Sequence, residues 1–461
     1  MEAVAENGQP CAPLLPTSDR ASGSACGGSG TVLACLHAAT TVISAGTFAL
    51  PWAFKQLGPA LGPLALVLAG VLSRCALEDL VCVKGSAGCG PCGLPRRRTR
   101  SQREAIARGV ALLPPGLVEL TSEVLGSLAG CLTRWLLVLR DVGVVAAHAT
   151  LAAAPLRLLV EEAAACDAAR GGTLLAASKP TWGLELHRVC GLPPSLWLAP
   201  VLLMAQLLSC LNPTFLACLY AVGVATLSVA ALALAVVGAM MWPEDMPMQS
   251  FWQLPLSSEA AIESLGVATF IYCAQFRVLP PLRDGMARPR RFSCIASAVF
   301  CTTGLAGIAV GLAGGPLLDA ALGKESALPE EFLLAARGVR WLLCGGNMAL
   351  CPSMLAPAVE QTRRSATGCP RWAVSLILLG LASGVAQLGS LGQVVSFSGG
   401  TMHCLASLVL PPALAVWALP WQSTAQTARR AILVILGMAI AVGTARAASL
   451  MLEHAVPGQL A

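Results

Sequence analysis

The sequence predicts an all-α multi-pass membrane protein of about eleven transmembrane helices, on three observations. Of its 461 residues, 56% are hydrophobic and 12% charged, and the mean hydropathy is +0.71, beyond the range of soluble globular chains. Apolar segments of spanning length recur near 31–54, 59–83, 128–160, 194–212, 214–242, 260–282, 292–316, 332–358, 371–390, 392–420 and 429–453. The basic loops between them fall in phase, always after an even-numbered span.

That phase predicts the orientation. Lys84, Arg96, Arg97, Arg98, Arg100, Arg103 and Arg108 follow the second span, and Arg283, Arg288, Arg290 and Arg291 the sixth. Arg363, Arg364 and Arg371 follow the eighth, and Arg429 and Arg430 precede the last. The positive-inside rule then places the N-terminus in the cytoplasm and the C-terminus outside or in a lumen. The net charge of +6 belongs to this bias, so no nucleic-acid partner is expected; the partner is the lipid bilayer. Residues 1–30, rich in Gly, Ser and Pro, read as a disordered cytoplasmic tail without the layout of a cleaved signal peptide. Residues 31–461 form the transmembrane domain. Nineteen cysteines are scattered through apolar runs without metal-ligand spacing, so no metal and no cofactor is expected.

The first span, TVLACLHAATTVISAGTFALPWAF (31–54), is apolar enough to cross a membrane, yet its middle should not stay helical. Thr40, Thr41, Val42 and Ile43 are poor helix formers, Gly46 and Thr47 follow, and Pro51 closes the segment. In lipid every freed N–H and C=O needs a partner, so a break survives only around a buried or wet cavity. Secondary transporters bind substrates and ions at such breaks, which makes the chain read as a carrier. A five-plus-five inverted repeat with broken first and sixth spans would require a second break in GVATFIYCAQFRVLPPL (266–282), with Thr269, Ile271 and Tyr272 before Pro280 and Pro281. The two prolines equally fit the cytoplasmic end of the span.

Several segments carry a family resemblance. ISAGTFALPWAFKQLG, GPLALVLAGVL, DVGVVAAHATLAAAPLRLLVEEA, VLPPLRDGMARPRRF, VVSFSGGTMHCLASLVLPPALAV and ILGMAIAVGT resemble, in order and spacing, the amino acid/auxin permease superfamily. Within it the chain looks most like the proton-coupled amino acid transporters. The resemblance implies a proton-coupled symporter of small neutral amino acids working by alternating access, in the plasma membrane or a lysosomal or vacuolar membrane. The alternatives are a sodium-coupled neutral amino acid transporter and an amino-acid sensor of the same fold with little transport.

The resemblance also implies a site. Backbone N–H groups around Ser44, Ala45, Gly46 and Thr47 would hold the substrate carboxylate, and carbonyls near Phe270, Tyr272 and Cys273 the ammonium. Gly46 would let the ligand reach the backbone; helix packing is its alternative role. His37 matches a histidine tied to proton coupling in the family, and imidazole suits the task with an ordinary pKa of about 6.5. Its alternative is a plain hydrogen bond to a carbonyl. A difference of two pH units is worth roughly 2.7 kcal/mol per proton, about a hundredfold accumulation. Sodium is the less favoured ion: Thr40 stands where sodium-coupled relatives carry Asn, and Leu350 near their eighth-span Thr, although Asn347 lies within a turn.

The chain departs from the family in places. Cys273 or Ala274 occupies the place of a sixth-span Glu, His148 that of a Tyr, and Arg140, Asp141 and Arg277 put charges into spans. Sequence neighbours do not face each other on a helix, so Arg140 and Asp141 should need separate partners or a wet cavity. The resemblance implies a disulfide from the loop after the third span to the loop after the seventh. No Cys stands between Cys301 and Cys344, and the expectation here is a bridge within the first loop, Cys166 to Cys190. No hydrolase motif is present, and the chain is not expected to be an enzyme.

Overall fold

The structure, a computed structural model, describes residues 42–88, 117–171, 194–209, 211, 213–241, 257–286, 291–323, 328–365, 369–387, 389–419 and 423–455. These residues are almost wholly helical: α1 (Leu50–Leu57), α2 (Leu61–Gly88), α3 (Leu117–Leu125), α4 (Ser127–Gly171), α5 (Leu198–Ser209), α6 (Pro213–Met240), α7 (Ser258–Phe270), α8 (Cys273–Gly285), α9 (Phe292–Ala313), α10 (Gly315–Ala321), α11 (Glu330–Ser365), α12 (Arg371–Ala386), α13 (Leu391–Phe397), α14 (Leu410–Ala418) and α15 (Thr424–Ala455). Seven helical stretches are long and apolar enough to cross a membrane, and α5 and α12 are shorter apolar helices. Leu64, Leu132, Leu232, Leu334, Trp341, Trp417 and Ile435 lie exposed on the outside, an apolar surface suited to lipid and not to water. The protein is a multi-pass membrane protein.

Local chemistry sets the helix limits. A short 3-10 turn, Ala45–Ala49, leads into α1, with Pro51 in the first turn, where its missing N–H costs nothing. Gly58, at φ +85°, ends α1 and returns its N–H to the Phe54 carbonyl at 2.8 Å. Helix α4 runs far beyond the predicted 128–160. Its 45 residues span about 67 Å, more than twice a hydrocarbon core of about 30 Å. Arg157 and Glu161, one turn apart at 2.7 Å, support the extension.

Helices α4 and α11 pack along each other and form the axis of the bundle; α11 also lines α6. In α4, 83% of the most apolar window is buried, against 33% in α15, which therefore lies at the lipid rim. The predicted tenth span is not one regular helix. After α13 the chain passes through two π-helical turns, Ser398–His403 and Leu405–Val409, before α14 begins at Leu410 and Pro411. Such wide turns mark places where packing has overridden the regular ladder.

Charged clusters tie the two ends. At the end that carries the basic loops, Asp79 of α2, 1% exposed, accepts from Arg429 Nη2 at 2.8 Å and from Arg430 Nε at 3.2 Å. Nearby, Arg74 pairs with Glu78 at 2.9 Å and donates to Ser293 Oγ on α9 at 2.8 Å. At the opposite end Arg340 of α11 meets Glu162 of α4 and the Ala320 and Ala321 carbonyls at 3.2 Å each. Removing one partner of a buried pair strands the other charge. Asp79→Asn should therefore lower the stability of the purified protein by about 3–5 kcal/mol, read as a drop in its thermal midpoint. Adding Arg430→Met should recover much of the loss; an unchanged midpoint in Asp79→Asn would show that the cluster contributes little.

Candidate functional site

The described part of the first span begins at Val42 and is extended through Ser44, at φ −138° and ψ 174°. The Ser44 N–H donates to Thr47 Oγ1 at 3.2 Å and the Thr47 N–H donates to the Ser44 carbonyl at 3.0 Å. Two of the four expected donors are thus used within the turn. The N–H groups of Ala45 and Gly46 have no acceptor among the described residues, and Ser44 Oγ is buried without a partner. A tight turn of this kind leaves its first amides free by geometry.

The sixth span is interrupted. Helix α7 stops at Phe270, Ile271 and Tyr272 form a turn, and α8 starts at Cys273. The Tyr272 N–H reaches back three residues to the Thr269 carbonyl at 3.2 Å. Pro280 and Pro281 lie inside α8, so they mark neither the break nor the end of the helix.

The turn after Ser44 touches that interruption. A Cβ on Gly46 would stand 2.9 Å from the Phe270 ring and 3.1 Å from the Ile271 nitrogen, so Gly46 packs backbone to backbone against the sixth span. The packing role of this glycine therefore has a concrete partner. Gly399 does the same from the tenth span, where a Cβ would meet Phe270 Cβ and the Gly266 carbonyl at 2.4 Å each. Phe270 is held between these glycines. The Tyr272 side chain points away, donating to the Leu66 carbonyl at 3.2 Å and stacking on Phe300 at 5.3 Å.

Charged and polar side chains collect beside Cys273. Arg140 of α4 donates to Asp141 Oδ1 from Nε at 3.0 Å and from Nη2 at 2.7 Å. This corrects the expectation of separate partners: the long arginine stem swings the guanidinium beside its neighbour's short carboxylate. Arg140, Asp141 and Arg277 all act electrostatically on Cys273, and Arg140 also acts on His403. Fully buried His403 bonds Ser407 Oγ through Nδ1 at 2.9 Å and packs edge-on against Phe276 at 5.7 Å; its Nε2 has no partner. Buried Ser398 Oγ, against Gly143 of α4, is also without one. The sequence offers Ser398, Gly399 and Gly400 as small residues near the site but does not single out His403. An ionisable side chain in an apolar span was the available signal.

His148 and Asn347 meet across α4 and α11, Nδ1 to Oδ1 at 2.6 Å, although 199 positions separate them. The Asn347 amide donates to the Leu343 carbonyl at 2.7 Å, so its oxygen accepts and His148 carries its proton on Nδ1. Thr150 and Arg157, farther along α4, line a cavity of about 570 Å³ with Leu198, Gly323 and Gln387. None of Gly46, Phe270 and Ile271 lines it. His37, Thr40 and Cys190 fall outside the described residues, and with Cys190 the bridge to Cys166.

Residues 27–314 match the family model described as transmembrane amino acid transporter protein. The chain belongs to that family. It is a member of the amino acid/auxin permease superfamily of membrane transporters, and the match runs from before the first span through both interruptions to the end of α9. A search of curated protein sequences returned no match.

In this amino acid transporter the glycine contact gives a direct test. Gly46→Ala should force the first and sixth spans apart by a few tenths of an ångström and sharply reduce substrate binding. Gly338→Ala, whose Cβ would meet nothing within 4 Å, is the neutral control. Equal binding by both variants would remove Gly46 from the site.

Proposed function

We propose that the protein is a secondary active, proton-coupled symporter that moves small neutral amino acids by alternating access. Its eleven spans would form a five-plus-five inverted repeat with the broken first and sixth spans at the centre. One observation carries the reading: the irregular turn after Ser44 meets the interrupted sixth span at Gly46 and Ile271, beside N–H groups of Ala45 and Gly46 that have no acceptor among the described residues. These two amides would hold the substrate carboxylate, with Ser44 Oγ, and the α7 carbonyls that end near Phe270 would take the ammonium. Cys273, at the start of α8, and the Tyr272 backbone would close the site from below. A small substrate fits the tight approach of Phe270, Gly46 and Gly399.

Proton coupling is favoured over sodium by the state of Asn347. Its oxygen takes the His148 proton and its amide serves its own helix, which leaves it poorly placed to replace the missing eighth-span hydroxyl for a hard cation. His37 would carry the proton. The membrane would be the plasma membrane or that of a lysosome or vacuole, with the N-terminus cytoplasmic.

Uptake of labelled glycine, alanine and proline into proteoliposomes, with pH and sodium gradients imposed separately, tests the function. A pH gradient should drive accumulation and a sodium gradient should not. His37→Ala should abolish pH-driven accumulation and keep exchange down the substrate gradient, because the backbone site is untouched. Unchanged pH-driven uptake in that variant would reject His37. For orientation, a C-terminal tag on sealed cells or organelles should be shielded from cytoplasmic protease, and its digestion there would overturn the assignment.

A further inference from the structure

Arg277 is the unexplained charge of the site. It lies one turn below Cys273 on α8, half-buried, three residues before the apolar stretch Ser258–Pro280 ends. Nη1 contacts Met354 Sδ at 3.2 Å, a weak acceptor, and Nη2 is buried with no partner among the described residues. Arg140, Arg340 and Arg430 each meet a carboxylate, whereas Arg277 meets none among the described residues. The rest of the first span, 31–41, contains no Asp or Glu.

The ledger around Cys273 is therefore two arginines against one aspartate, and Arg140 holds that aspartate through both of its bonds. His403 adds a second unsatisfied polar group, its Nε2 orphaned while its ring rests on Phe276, next to Arg277.

We propose that Arg277 is the core of an anion subsite below the interrupted sixth span, filled by a small anion that arrives with the amino acid. The anion is either chloride accompanying a neutral substrate or the side-chain carboxylate of an acidic one. A guanidinium fork matches a carboxylate in two-point contact and a halide in one. The inference builds on the amino acid site proposed above, but its test does not require transport.

The test is thermal stability of the purified full-length protein in detergent at constant ionic strength, with sodium gluconate as the bulky inert salt. Replacing gluconate by chloride, or adding aspartate or glutamate, should raise the midpoint by about 3 °C or more. The shift should vanish in Arg277→Gln and persist in Arg277→Lys. A shift with chloride alone names the halide; a shift with aspartate beyond that given by alanine names the side-chain carboxylate. Wild-type midpoints identical in gluconate, chloride and aspartate would overturn the subsite even if Arg277→Gln fails to fold, as would a shift that survives intact in that variant. Anion stabilisation without any effect of alanine would sink the neutral amino acid reading and leave the subsite standing.

Discussion

Every peptide group that this chain carries into lipid must be satisfied inside the protein, and the centre of the fold follows from that constraint. A regular helix satisfies it alone, whereas a broken one needs other backbone at close range. Glycine supplies the approach: Gly46 meets Ile271, Gly399 meets the Gly266 carbonyl and Phe270, and Gly400 meets Thr444. Three irregular stretches, the turn after Ser44, the break at Ile271–Tyr272 and the π-helical turns from Ser398, are thus stacked on one another. The long, deeply buried α4 backs them, with Gly143 against Ser398. Small residues concentrate at these crossings because lipid gives no hydrophobic reward for bringing helices together, so contact depends on fit.

Charge obeys the same constraint on a larger scale. Asp79 with Arg429 and Arg430 joins α2 to α15, while Glu162 with Arg340 joins α4 to α11 and the start of the chain beyond α10. Each cluster sits near a helix end, where stems can bury and heads stay solvated or paired. The membrane interior holds the tight Arg140–Asp141 pair and Arg277. In the proposed reading the end clusters act as staples within moving bodies, and the interior charges lie where the bodies slide past the substrate.

How much of this was legible in the sequence depends on the range of the forces involved. The helical class was legible, and so was the irregular backbone from Ser44 to Ala49, because a Thr-rich β-branched run into Gly46 weakens helix locally. The sixth-span interruption falls at Ile271–Tyr272, among the residues that the segment offered, and Pro280 stands where its apolar stretch ends. Neither Gly nor Pro stands at the break itself, and its contact with Gly46 is long-range and has no local signature. The apolar span expected at 128–160 is found at 127–163, and beyond it α4 continues to Gly171, where hydropathy gives no cue. His148 and Asn347 were both named, yet their bond spans 199 positions and has no sequence signature. The Arg140–Asp141 pair ran against a helix-surface rule that applies to short stems more than to a flexible guanidinium.

Recognition through backbone explains where this transporter is free to differ from its relatives. The N–H groups of Ala45 and Gly46 are the same whatever side chains surround them, so a zwitterion site built from them tolerates drift. Replacing an acidic sixth-span residue by Cys273 or Ala274 leaves those amides in place. It would remove a negative charge beside Arg140 and Arg277, which both act on Cys273. In the proposed reading, selectivity is decided one turn below the common site, by side chains that the backbone contact does not need, and a positive excess there favours a ligand that brings its own anion.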